Sequence, residues 1–115
     1  SRGLGDVYKR QLTYMNAHFC EDLEIAELAS QFHMSESAFC RFFKSIMHIS
    51  AVTYVNNLRI AESCRLLLST EEAISKIASD CGFRNISYFN RVFQERMHQT
   101  PGQFRSLSAE NRTAI

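Results

Sequence analysis

The sequence predicts an all-α fold of about seven helices, arranged as two helix-turn-helix subdomains joined by a long linker helix. Three observations carry this expectation. Glycine is scarce at 4, proline is single, and Val, Ile and Thr never gather into alternating runs, so strands are disfavoured. Apolar residues recur instead at three- and four-residue steps, the stripe of an amphipathic helix. The chain also repeats itself. Ile25-Ala26-Glu27-Leu28-Ala29-Ser30 aligns with Ile74-Ser75-Lys76-Ile77-Ala78-Ser79 at an offset of 49 that holds through Met34 and Phe83. One extra residue near 84–86 raises the offset to 50, so that Phe39, Arg41, Phe43, Met47, His48, Ser50, Ala51 and Tyr54 face Phe89, Arg91, Phe93, Met97, His98, Thr100, Pro101 and Phe104. The repeat unit is too long, and its copies too few, for a solenoid.

Taken in order, residues 1–7 carry no pattern and are read as a non-native or disordered leader outside the fold. Leu12, Met15 and Phe19 place a first helix over about 8–19. Ile25, Leu28, Ala29 and Phe32 form the apolar face of a short second helix. Phe39, Phe42, Phe43 and Ile46/Met47 form that of a third, for which Ser35 is a good cap because its hydroxyl accepts an orphan N–H of the first turn. These elements make a first subsegment, 8–49. Ser50 caps a linker helix over 50–69 with Val52, Val55, Leu58, Ala61, Cys64/Leu67 and Leu68 on its apolar side.

The second subsegment, 70–106, repeats the first. Ile74, Ile77, Ala78 and Cys81 make its first helix, and Gly82 follows where a left-handed residue ends a helix sharply. Asn85 caps the next helix, striped by Tyr88, Phe89, Val92, Phe93 and Met97. Thr100-Pro101 starts a last helix, with proline where its missing N–H costs nothing. Residues 107–115 read as a frayed polar tail. Two helices joined by a tight turn of about 3–4 residues are the helix-turn-helix signature.

The net charge of +1 is low for a nucleic-acid binder, but its distribution is uneven. Residues 20–36 hold Glu21, Asp22, Glu24, Glu27 and Glu36 with no Lys or Arg. Residues 39–65 hold Arg41, Lys44, Arg59 and Arg65 against Glu62, and residues 84–105 hold Arg84, Arg91, Arg96 and Arg105 against Glu95. Local potential matters more than the sum.

Cys20, Cys40, Cys64 and Cys81 form no C-x-x-C pair, and His18, His33, His48 and His98 are not spaced for zinc. They are read as reduced thiols of a cytoplasmic protein. No run of about 18 apolar residues predicts a membrane span. Without paired carboxylates, a Cys-His arrangement or a phosphate-cradling glycine loop, the residues point to no enzyme and no cofactor.

The stretch Arg59-Ile60-Ala61-Glu62, Leu66-Leu67, Ile74, Ile77-Ala78, Cys81-Gly82-Phe83, Tyr88-Phe89-Asn90-Arg91-Val92-Phe93-Gln94 and Thr100-Pro101-Gly102-Gln103-Phe104-Arg105 resembles the AraC/XylS family of transcription regulators. The resemblance covers about residues 10–106. It implies a tandem, homeodomain-like, sequence-specific DNA-binding domain with two recognition helices, about 36–47 and 86–97. The family usually has Gly where this chain has His48 and His98, and Pro where it has Ala51. Histidine tolerates the left-handed conformation better than bulkier residues, so the geometry is expected to survive at some cost.

With the apolar stripes facing the core, the opposite faces offer Glu36, Ser37, Cys40, Arg41 and Lys44 in the first copy and Ile86, Ser87, Asn90, Arg91 and Gln94 in the second. Arginine donates bidentately to guanine or clamps a phosphate, and Asn pairs with adenine. Cys40 and Ile86 offer only apolar contact, as to a thymine methyl. Ser35, Asn85 and Thr100 bring helix-start N–H groups that suit phosphates. A structural alternative pairs Arg41 and Arg91 with Glu27 or Asp80. The expected partner is double-stranded DNA, entered in successive major grooves with the linker helix fixing the separation, so that the DNA bends. The acidic residues 20–36 face solvent or RNA polymerase, and an effector or dimerisation domain is expected outside this chain. A repair methyltransferase fused to such a domain would likewise have its catalytic portion elsewhere. The rival reading is a helical protein-interaction module that never touches DNA; only DNA binding must weaken steeply with salt.

Overall fold

A computed structural model describes residues 2–113 of the chain. Its described residues form seven helices: α1 (Arg2–His18), α2 (Ile25–Gln31), α3 (Glu36–Met47), α4 (Ala51–Ser69), α5 (Ile74–Asp80), α6 (Ile86–Met97) and α7 (Pro101–Thr113). The chain divides into two compact units between Leu58 and Arg59. The boundary falls inside α4, so the linker helix is shared between the units rather than standing apart from them.

The first unit is built on Met15, Leu28, Ala29, Phe39, Phe43, Ala51 and Val55, all nearly or fully buried. The second is built on Ile60, Leu67, Ile77, Ala78, Cys81, Phe83, Phe89, Val92 and Phe93. Burying one such large apolar side chain contributes on the order of 1.5–3 kcal/mol. The repeat reappears in the packing. Phe43 meets Tyr54 edge-on at 5.7 Å, and the matching residues Phe93 and Phe104 meet edge-on at 5.7 Å. The second core extends this chain of rings through Phe89 to Phe83, at 5.7 and 5.1 Å.

The two turns also share one hydrogen-bond pattern. Met34 N–H donates to Ala29 C=O and His33 N–H to Ser30 C=O, both at 3.0 Å; Phe83 N–H donates to Ala78 C=O and Gly82 N–H to Ser79 C=O at the same distance. This paired arrangement satisfies orphan carbonyls at a helix end and needs a left-handed residue just past it. Gly82 supplies it with φ 103°, and His33 occupies the matching position with φ 57°. His48 and His98 are left-handed too, with φ of 64° and 58°, as their place at the ends of α3 and α6 predicts. The left-handed state of His33 was not anticipated.

Three helix descriptions change. α1 begins at Arg2 rather than near residue 8, and α7 runs to Thr113 through the expected frayed tail. Neither Gly3 nor Gly5 is required by a close approach, since a side chain at either would meet open space. After Gly102, α7 meets no further glycine or proline through Thr113. In α4, Val52 and Leu68 are 48% and 38% exposed, and Ala61 is exposed, against the predicted stripe. No single stripe could run its length, because Ala51 and Val55 enter the first core and Ile60 and Leu67 the second. The register therefore shifts between 55 and 60, with Asn56 and Ser63 among the buried positions. The predicted cap holds: Ser50 Oγ accepts from Thr53 N–H at 3.0 Å.

Gln11, on α1, is fully buried. Its Nε2 reaches Met34 Sδ at 3.8 Å, while Oε1 has no hydrogen-bond partner among the described residues.

Candidate nucleic-acid interface

The second helices of the two helix-turn-helix units, α3 and α6, are set by equivalent caps. Ser35 Oγ accepts from Ala38 N–H at 3.1 Å, and Asn85 Oδ1 accepts from Tyr88 N–H at 3.1 Å. At the other ends, His48 N–H donates to Lys44 C=O at 2.8 Å and His98 N–H to Gln94 C=O at 2.9 Å. Each helix thus has fixed ends and a fixed rotation, the rotation set by Phe39 and Phe43 in α3 and by Phe89, Val92 and Phe93 in α6.

That rotation leaves Ser35, Glu36, Ser37, Arg41 and Lys44 exposed on the first unit. On the second it exposes Asn85, Ile86, Ser87, Asn90, Arg91 and Gln94. Cys40 departs from the expectation: it is half-buried and packed against the first core. A short, weakly polar side chain at the edge of the apolar stripe sinks into it, whereas Asn90 at the matching position stays in solvent. Among the described residues no ion pair engages Arg41 or Arg91, and Asp80 instead takes Lys76 Nζ at 2.7 Å. That contact and Glu72 raise the lysine pKa, the hydrogen bond to Asp80 contributing most.

Several cations counted in the basic segments are engaged elsewhere. Arg65 pairs with Glu62, which raises the guanidinium pKa through their hydrogen bond. The Arg59 guanidinium lies 5.7 Å from the centre of the Phe83 ring. Arg105 donates to three backbone carbonyls, Leu67 in the last turn of α4 at 3.1 Å, and Glu72 at 2.9 Å and Thr70 at 3.3 Å between α4 and α5. It is a staple of the second unit rather than a member of a basic face.

A residue the sequence reading assigned only to the core joins the exposed face. Tyr88 is half-buried against the second core, and its outer side lies under Arg91, with Cζ 5.1 Å from the ring centre. Asn85, Ser87, Tyr88 and Arg91 line a hollow of about 420 Å³ on the second unit. The i, i+3 spacing of Tyr88 and Arg91 was the available signal. The first copy has Ala38 at the position of Tyr88, and its first turn begins with Glu36 where the second has Ile86.

Among the described residues no three His, Cys, Asp or Glu side chains converge to hold a metal ion. Among the described residues no helix is long and apolar enough to cross a membrane.

A pair of capped helix-turn-helix units with exposed polar second helices defines a class of DNA-binding domain. Residues 28–106 match the family model described as a helix-turn-helix domain. The chain belongs to that family, in its AraC/XylS-type branch, the DNA-binding domains of transcription regulators. It is 33% identical to the regulatory protein PocR of Salmonella typhimurium over 90% of its own length and 34% of PocR. It is 34% identical to the bifunctional transcriptional activator/DNA repair enzyme AdaA of Bacillus subtilis, over 87% of this chain and 47% of AdaA. The chain therefore spans between about a third and a half of these relatives. The C-terminal domain of AraT, a response regulator from Geobacillus stearothermophilus, superposes with a TM-score of 0.82 at 29% identity, over 88% of this chain and 84% of that one. The DNA-binding domain of AdpA, solved in complex with a target DNA, shares the fold with a TM-score of 0.85 at 22% identity, over 92% and 96%.

Proposed function

We propose that this domain reads double-stranded DNA with α3 and α6 entering successive major grooves, roughly one helical turn or 34 Å apart. One observation carries the reading. Both helices turn the same polar register to solvent, Ser37, Arg41 and Lys44 in α3 and Ser87, Arg91 and Gln94 in α6, on equivalent caps. Arg41 and Arg91 donate to guanine or phosphate, and Asn90 to adenine. The N–H groups behind Ser35 and Asn85 face phosphates. Ile86, 42% exposed, offers apolar contact to a thymine methyl, and the outer side of half-buried Cys40 offers the same in the first unit.

Within a longer regulator, this domain brings the protein to its operator, and effector binding or dimerisation resides in another segment. The domain itself carries no catalytic step and works in the cytoplasm, in keeping with its four thiols. Glu21, Asp22, Glu24 and Glu27 are all exposed, and RNA polymerase is the proposed partner of this acidic segment.

The test combines salt and mutation. Affinity for a selected duplex falls steeply with rising salt. Arg41→Ala and Arg91→Ala each weaken specific binding by about 1–3 kcal/mol. Unchanged affinity and sequence preference in both variants overturns the assignment; no salt dependence favours the protein-interaction module.

A further inference from the structure

We propose that Tyr88 is a positioning residue whose ring holds the Arg91 guanidinium in place, and that this makes α6 the dominant sequence reader of the two helices. The inference rests on the reading that Arg91 faces DNA.

The ring is itself held. It packs on the second core, lies 6.0 Å from the Phe83 ring, and its backbone N–H is tied to Asn85. Arg91 Cζ sits 5.1 Å from its centre, within reach of the electrostatic attraction between a cation and an aromatic face. An exposed arginine must surrender rotamer freedom when it docks, and a guanidinium already resting on a ring has lost part of that freedom beforehand. Its planar fork is then presented for bidentate contact beside the hollow that Asn85 and Ser87 complete.

The first unit lacks this device. Ala38 stands where Tyr88 would, and among the described residues no ring lies under Arg41. Glu36 adds an acid to the first turn of α3, where α6 has Ile86. Arg41 therefore docks from a wider set of conformations, and the Glu36 carboxylate in the first turn of α3 repels phosphate. The repeat supplies the comparison: two arginines at one structural position, only one on a platform.

The experiment measures Kd for the duplex recovered by selection from a random pool, and for that duplex with each base pair changed in turn. The proteins are the wild type, Arg41→Ala, Arg91→Ala, Tyr88→Leu, Tyr88→Phe and the Tyr88→Leu/Arg91→Ala pair. Arg91→Ala flattens preference at one or two base pairs and costs more preference than Arg41→Ala. Tyr88→Leu weakens preference at the same base pairs by about two- to fivefold, the range an exposed cation–π contact supplies. Tyr88→Phe retains it, and Tyr88→Leu adds nothing in the Arg91→Ala background. An Arg91→Ala loss that Tyr88→Leu does not share, or a Tyr88→Leu loss that persists without Arg91, overturns this inference alone. So does a greater loss of preference in Arg41→Ala than in Arg91→Ala. Full preference in Arg91→Ala overturns the DNA-facing reading with it. Should Tyr88→Leu unfold, side-chain NMR of the wild type decides: the Arg91 Nε–H is more ordered than that of Arg41, and equal disorder overturns the platform.

Discussion

Replacing Arg105 separates a structural from an electrostatic role. Its guanidinium donates at 2.9, 3.1 and 3.3 Å to carbonyls of Glu72, Leu67 and Thr70, closing the segment between α4 and α5. A hydrogen bond to a charged group contributes about 1.5–3 kcal/mol when well made. One of these is long and the site is only partly buried, so the three together are expected to contribute about 2–4 kcal/mol. Thr70 adds local support, its hydroxyl donating to Leu66 C=O at 2.8 Å, so the segment loosens without losing every tie. Arg105→Ala should therefore lower the unfolding free energy measured in urea by that amount, and Arg105→Lys should recover little, because an ammonium cannot fork to three separated carbonyls. The salt slope of DNA binding should stay at the wild-type value. A stability change below about 0.5 kcal/mol, together with a salt slope smaller by about one, would refute the staple and make Arg105 a phosphate contact.

Other predictions follow from backbone strain, burial and thiol environment. A left-handed L-residue costs about 1–2 kcal/mol, and glycine returns about 0.5–1 kcal/mol of that in entropy. His33→Gly, His48→Gly and His98→Gly should therefore each stabilise the domain by about 0.5–1 kcal/mol, and a lower thermal midpoint in all three would contradict the strain argument. Gln11→Leu removes a buried amide with an unsatisfied Oε1 and should raise stability by about 1 kcal/mol; a loss in chemical denaturation would show that the amide is satisfied in solution. Among the thiols, exposed Cys20 should alkylate first and buried Cys81 last, with Cys64 slowed because burial pushes its pKa up. Mass spectrometry of partly labelled protein reads the order, and early labelling of Cys81 would mean that the second core opens readily.

The fold was legible because its strongest signals are local. Ser35, Ser50 and Asn85 cap where the sequence places caps, and Phe39, Phe43, Phe89 and Phe93 are buried as their spacing requires. Thr100 also caps as expected, and Gln103 returns the bond, its Oε1 accepting from Thr100 N–H at 2.9 Å; T-x-x-Q is the sequence signature of such a capping box. The register of α4 was less legible, because a helix serving two cores in succession has no single period to read. Charge counts misled at Arg105 and Arg65: a count cannot tell a cation held by carbonyls or by a neighbouring Glu from one offered to a partner. Cys40 and Tyr88 lie at the margin of the apolar stripe, where a few degrees of helix rotation decide between core and surface. Arg41 and Arg91 could be proposed early because the repeat gave the same position twice.

The central claim is that two unequal recognition helices read DNA together, and selection of bound duplexes from a random pool by the intact domain tests it most directly. The expected outcome is one enriched site with two motifs about 10–10.5 base pairs apart, centre to centre. The motif lost in Arg91→Ala should be the more strongly conserved among the selected sequences. No enrichment, or a single motif that survives both Arg41→Ala and Arg91→Ala, would contradict the account.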